Sequence, residues 1–160
     1  MEYHIVTVWR IEAPIEVVYD AIFQSLNWPK WWCNVESVET IAEGSPNGIG
    51  NIRRYIWRGF LPYRLSFDIY ATRIEPLATI EGIASGDVEG VGCWSFHQNE
   101  NMTIVTYSWH VKTTPLWMNI LELFAYPIII WNHNFVMRKG REALAQKLNA
   151  QMTHQNIMSH

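Results

Sequence analysis

The sequence predicts an α+β fold in which an antiparallel sheet is covered by one long C-terminal helix. Three features predict it. Short segments in the middle of the chain alternate apolar and polar side chains with the period of two that marks a half-buried strand. These strand-like segments run consecutively along the chain. From Pro115 to Leu148 the apolar spacing changes to three and four, the period of a helix. A sheet with one apolar face must bury it, and a long amphipathic helix can cover it. A sheet curved around such a helix leaves a cavity between the two layers.

The elements follow in order. The opening "EYHIVTVWRIEAP" is rich in β-branched and aromatic residues and predicts a strand, closed by Ala13-Pro14. Pro14 suits the first position of a helix. In "PIEVVYDAIFQ" Ile15, Val18, Tyr19 and Ile22 share one helical face. "NWPKWWCN" is a second short helical or irregular piece with three Trp. "VESVETIAE" and "NIRRYIWRG" predict a hairpin around "GSPNGIG", which concentrates the Gly, Pro and Asn that turns require. In "LPYRLSFDIYATRIE" Leu61, Tyr63, Leu65, Phe67 and Ile69 fall on one face, and Arg64, Ser66 and Asp68 on the other. "ATIEGIASGDVEGVGCWSFHQ" reads as two strands around a turn near Ser85–Asp87. "MTIVTYSWHVKTT" places Val105, Tyr107, Trp109 and Val111 together. That gives about seven strands, with two short helices after the first. Pro127 is expected to kink the last helix. Residues 1–148 are expected to form a single domain, and the polar "QMTHQNIMSH" within 149–160 a disordered tail.

Composition narrows the function classes. A chain of 160 residues is long enough for a real core. Its nine Trp are more than packing alone calls for and point to a pocket or an interface. Twelve basic against fifteen acidic residues give a net charge of −3, the wrong sign for a general nucleic-acid binder. Cys33 and Cys93 form neither a CxxC pair nor a disulfide framework, so free thiols in the cytoplasm are expected. The N-terminus has no signal-peptide pattern. "PLWMNILELFAYPIII" contains Asn119, Glu122 and Pro127 and falls short of a spanning helix. It is read as a buried or dimer-contact helix, since an interfacial helix would carry Lys or Arg on its polar face. The expected state is a monomer or homodimer without stable membrane insertion.

Taken together, "VWRIEAPIEVVYDAI", "LPYRLSF", "ASGDVEGVGCWSF", "TIVTYSWHVKTT" and "WNHNFVMRKGREALAQKL" resemble the polyketide cyclase/dehydrase-like branch of the START-like (SRPBCC) superfamily. The resemblance runs from about Tyr3 to Leu148. It implies the helix-grip fold, a curved sheet gripping the long C-terminal helix around a ligand cavity. It also implies either binding or transport of a small hydrophobic, aromatic, lipid or polyketide-like molecule, or a cyclase, dehydratase or isomerase acting on such a substrate.

The residues offer no compact catalytic motif. None of the six His lies in HExxH or Cys/His zinc spacing, so neither a metal nor a cofactor is expected. There is no GxSxG, and Cys33 in "WWCN" reads as a Trp-shielded thiol. "SPNGIGN" and "GDVEGVG" match no phosphate-binding loop; Gly82, Gly86, Gly90 and Gly92 read as turns, bulges or room for close approach. In "RRYIWRG" Arg53, Tyr55 and Trp57 share one face, and Ile52, Arg54, Ile56 and Arg58 the other. One face holds an arginine for a ligand carboxylate or phosphate, or both hold solvent arginines that protect an edge. Asp68, Glu81 and Asp87 lie on or near strands, with Asp68 expected toward water.

The expected ligand contacts are Tyr55, Trp57, Tyr63, Phe67, Trp94, Phe96, Tyr107 and Trp109, with Asn132 and His133 from the helix. His133 shares a stripe with Val136, Met137, Gly140 and Leu144, and Asn132 sits about 100° away. Facing the sheet, His133 is the candidate general acid or base. The plainer alternative is a structural histidine that pins the helix to the strands. A third reading makes Trp28, Trp31 and Trp32 an exposed partner-binding patch.

Overall fold

A computed structural model describes the backbone of residues 2–158, with the side chains at 117–125, 150 and 152–158 left undescribed. Seven antiparallel strands form one sheet in the order β1-β7-β6-β5-β4-β3-β2. They are β1 (Glu2–Ile11), β2 (Val35–Ala42), β3 (Ile52–Arg58), β4 (Arg64–Glu75), β5 (Thr79–Gly86), β6 (Val88–Asn99) and β7 (Met102–Thr113). Consecutive strands from β2 to β7 pair as neighbours, so each predicted hairpin is an actual one. The first strand closes against the last, with Ile5 opposite Trp109 and Trp9 opposite Val105.

The link from β1 to β2 holds α1 (Ile15–Phe23) and a 3₁₀ segment, Ser25–Lys30. Val18, Tyr19, Ala21 and Ile22 of α1 are buried, the face that the spacing predicts. Pro14 precedes the helix in extended conformation. The long helix α2 runs from Leu116 through Pro127 to Met158. Val136, Met137, Leu144 and Leu148 carry its buried stripe into the core. This is the α+β helix-grip architecture: a curved open sheet with a long C-terminal helix across its concave face.

Most of the Trp excess sits in one interior cluster. Trp32 is fully buried (0% exposed) among Trp9, Trp28, Trp31 and Trp57, with ring centroids 4.8 to 5.5 Å away. Its Nε1–H donates to the Val136 carbonyl at 3.1 Å, tying the 3₁₀ corner to α2. The expected exposed Trp patch is therefore corrected: Trp28 and Trp32 are core, and half-buried Trp31 stacks on Trp32. Burying indoles of this size outweighs presenting them to a partner. Cys33 also departs from its reading. Its flanking Trp turns inward and leaves the thiol exposed.

The apolar stretch at the start of α2 lies largely outside the described side chains, as does most of the expected tail at 149–160. Where described, the apolar stretch is buried only in part: Leu116 and Ile128 are exposed, while Ile129 and Ile130 are half-buried against the core.

Candidate functional site

The sheet's alternation decides which side chains reach the interior. On β3, Tyr55 is buried and Trp57 packs against the core, so that face turns inward and takes Arg53 with it. Arg54 faces outward, where its Nε and Nη2 donate to the two Asp68 carboxylate oxygens at 2.8 and 3.0 Å. Asp68 is thus on the water side, as its place between Phe67 and Ile69 requires.

Two chambers lie between sheet and helices. The larger, about 120 Å³, is bounded by β1, β3, β4, β7 and α2, with Tyr63, Asn132, His133 and Thr113 as its polar groups beside Ile129, Val136 and Met137. The smaller, about 80 Å³, sits over β3–β6 beneath α1, with Arg53, Ser25 and Asn51 among its polar groups. Trp57, Phe67, Tyr107 and Trp109 line both and form the partition between them. Tyr107 stacks on Trp94 at 4.0 Å and on Trp109 at 5.6 Å, which fixes the partition's rings.

Gly92 makes this arrangement possible. A Cβ there would overlap the Trp109 ring and stand 3.1 Å from the Tyr107 hydroxyl. The room that the sequence left open at its glycines is, at Gly92, taken by the partition itself.

The expected contacts distribute unevenly. Tyr55 and Trp94 line only the small chamber, Tyr63, Asn132 and His133 only the large one, and Trp57, Phe67, Tyr107 and Trp109 both. Phe96 is a correction: it lines neither. Its ring packs edge-on against Tyr19 at 5.0 Å, since α1 covers that end of β6. Ser25 is missed from sequence, since nothing local marks it. Arg53 takes the cavity-facing alternative that the Arg53–Tyr55–Trp57 alternation left open.

Asn132 and His133 play different parts. Asn132 is buried, and its Oδ1 accepts from the Phe60 amide at 2.9 Å and the Leu61 amide at 3.4 Å. Its Nδ2 donates to the Tyr63 hydroxyl at 3.5 Å. It latches the β3–β4 loop to α2, serving otherwise unpaired backbone donors. Outside this latch Phe60, 67% exposed, packs against Trp131 and Phe135.

His133 Nδ1 is buried with no hydrogen-bond partner among the described residues. Burial lowers its pKa, because the charged ring loses hydration; the Asn134 side chain opposes this more weakly. At neutral pH His133 is therefore an uncharged imidazole at the wall of the large chamber. The Tyr107 hydroxyl is pushed well above its ordinary pKa by burial and stays protonated. Among the described residues no three His, Cys, Asp or Glu side chains converge to hold a metal ion. No helix among them is long and apolar enough to cross a membrane.

No family model matches the chain, and no curated protein matches it in sequence. Solved structures match its fold along nearly the whole length. TTHA0849 from Thermus thermophilus superposes with a TM-score of 0.72 at 17% identity, covering 91% of this chain and 99% of that one. A START superfamily protein from Mycobacterium smegmatis gives 0.73 at 10% identity, covering 92% and 98%. The di-domain aromatase/cyclase BexL from the BE-7585A biosynthetic pathway gives 0.70 at 19% identity; the match covers 91% of this chain and 49% of BexL. The chain shares the helix-grip fold of these START superfamily and aromatase/cyclase structures.

Proposed function

We propose that the protein binds a small apolar or aromatic molecule in the two-chamber cavity between its sheet and α2. The observation that carries this reading is the shared partition of Trp57, Phe67, Tyr107 and Trp109 with open space on both sides. Aromatic walls with few polar groups are the usual make-up of a small-molecule site. An apolar cavity of about 150 Å³ takes up a benzene-sized molecule, so chambers of this order each suit a ring-sized group. The hydroxyls of Tyr63 and Tyr107 and the neutral imidazole of His133 orient what the rings hold. Lipid and polyketide-like molecules both fall within this class. Two free thiols, Cys33 and Cys93, suit a reducing compartment such as the cytoplasm.

The cyclase or dehydratase reading draws on the same large chamber, with His133 as general base and Tyr107 as a protonated donor. Binding is the stronger reading because no carboxylate orients His133 among the described residues. Titration with the neutral fluorophore N-phenyl-1-naphthylamine tests it. One saturable site is expected, and Ile129→Trp, which fills the large chamber, should abolish it without lowering Tm. A wild type that takes up no probe, or a variant that binds like wild type, refutes the reading.

A further inference from the structure

We propose that Arg53 is the anion-binding pole of the small chamber, so that the bound molecule is an aromatic or apolar acid rather than a neutral hydrocarbon. This rests on the cavity-binding reading and adds the chemical class of the ligand. Arg53 is the arginine of β3 that its neighbours Tyr55 and Trp57 carry inward, and it lines the small chamber with them. Its Nη1 donates to Ser25 Oγ at 2.7 Å and, at 3.4 Å, to the Phe23 carbonyl. Its Nε is buried without an acceptor among the described residues.

No carboxylate among the described residues pairs with Arg53, whereas Arg54, Arg64 and Arg73 each have one. Those three sit on the outer surface, where pairing is worth least. The arginine turned into the cavity lacks a counterion, although a guanidinium stays charged at any accessible pH and its desolvation is costly. A purely structural role accounts for Nη1, which ties β3 to the end of α1. It leaves the buried Nε donor without a function.

Ser25 adds preorganisation. It is buried, and its hydroxyl accepts from both Arg53 and the Tyr55 hydroxyl, 2.8 Å away, which fixes the guanidinium's position. A planar carboxylate complements the guanidinium fork. Glu81, opposite Arg73 in the β4–β5 register, turns its carboxylate to the outer face of the sheet, so it brings no negative charge to Arg53. The aromatic partition then receives the ligand's body.

The test is an isosteric pair, 2-naphthoate and 2-naphthamide, titrated by calorimetry at pH 7 into the full chain. Charge-assisted bonds predict that the carboxylate binds about ten- to a hundredfold tighter than the amide. Arg53→Gln should reduce that ratio to within about threefold, and Arg53→Lys, which keeps the charge but loses the fork, should fall between. Amide binding with no carboxylate preference overturns this inference and leaves the cavity reading standing. Failure of both ligands to bind overturns both. A preference that survives Arg53→Gln assigns the anion to another group and also overturns it. Should the variants not fold, the wild-type ratio alone decides.

Discussion

Gly140→Ala is predicted to destabilise the protein, against the usual effect of that change in a helix. In an exposed helix interior, replacing Gly by Ala gains about 1 kcal/mol. Here an added Cβ would overlap Cε2 and Cζ2 of Trp32 and stand 2.8 Å from its Nε1. The ring has nowhere to go, because Trp9, Trp28, Trp31 and Trp57 surround it. Overpacking of this kind costs about 1–3 kcal/mol. Displacing the indole also breaks the 3.1 Å bond to the Val136 carbonyl and strands a buried donor, another 1–3 kcal/mol or so. After the propensity gain, the net loss is about 1–5 kcal/mol. In a chain of this length that is a fall in Tm of roughly 2–20 °C. Urea unfolding followed by Trp emission gives the free energy directly. Trp32→Phe in the same background should make the two losses less than additive, since the smaller ring relieves the overlap. A Gly140→Ala variant with a Tm equal to or above wild type would refute the packing argument.

Two further predictions concern the large chamber. Asn132→Ala should cost about 2 kcal/mol, one good hydrogen bond plus stranded backbone donors, and should speed amide exchange at Phe60 and Leu61 ahead of the sheet amides. Exchange unchanged at those two amides would show that the loop is held by something else. His133 has a lowered pKa, so below its ordinary pKa near 6.5 the unfolded chain binds a proton that the folded chain resists. Stability should fall as pH drops from about 6.5 toward the lowered folded value. His133→Gln should flatten that part of the Tm–pH curve, and an unchanged slope would refute the assignment.

The strand faces were legible because one face of each is more apolar than the other. Phe67 and Ile69 against Asp68, or Val105, Trp109 and Val111 against His110 and Lys112, follow from a period of two with no tertiary information. β3 resisted the same reasoning. Both of its faces carry arginine and apolar residues, Arg53 with Tyr55 and Trp57, Arg54 with Ile52 and Ile56. The pattern sorted these side chains into two sets without saying which set is inside. Ser25, thirty positions from Tyr55, and Asp68, fourteen from Arg54, break the tie, and sequence separation conceals both partners.

The same limit explains "WNHN". Helical spacing placed His133 on the stripe of Met137 and Gly140, and both Asn132 and His133 reach the large chamber. What spacing does not encode is that Asn132 meets a loop more than seventy positions earlier in sequence. That contact makes Asn132 the pin that the alternative reading assigned to His133. His133 makes no such link through Nδ1, which is buried without a partner among the described residues. A polar pair on one helix therefore divides its work. One member closes the β3–β4 loop over the chamber, and the other keeps an unspent hydrogen-bonding atom at its wall. In the small chamber Arg53 repeats the division within a single side chain, with Nη1 engaged to the protein and Nε left over. Buried polar atoms without partners are rare because they are costly. Here three of them, Arg53 Nε, His133 Nδ1 and Trp57 Nε1, belong to residues that line the adjoining chambers, where a bound molecule would lower their cost.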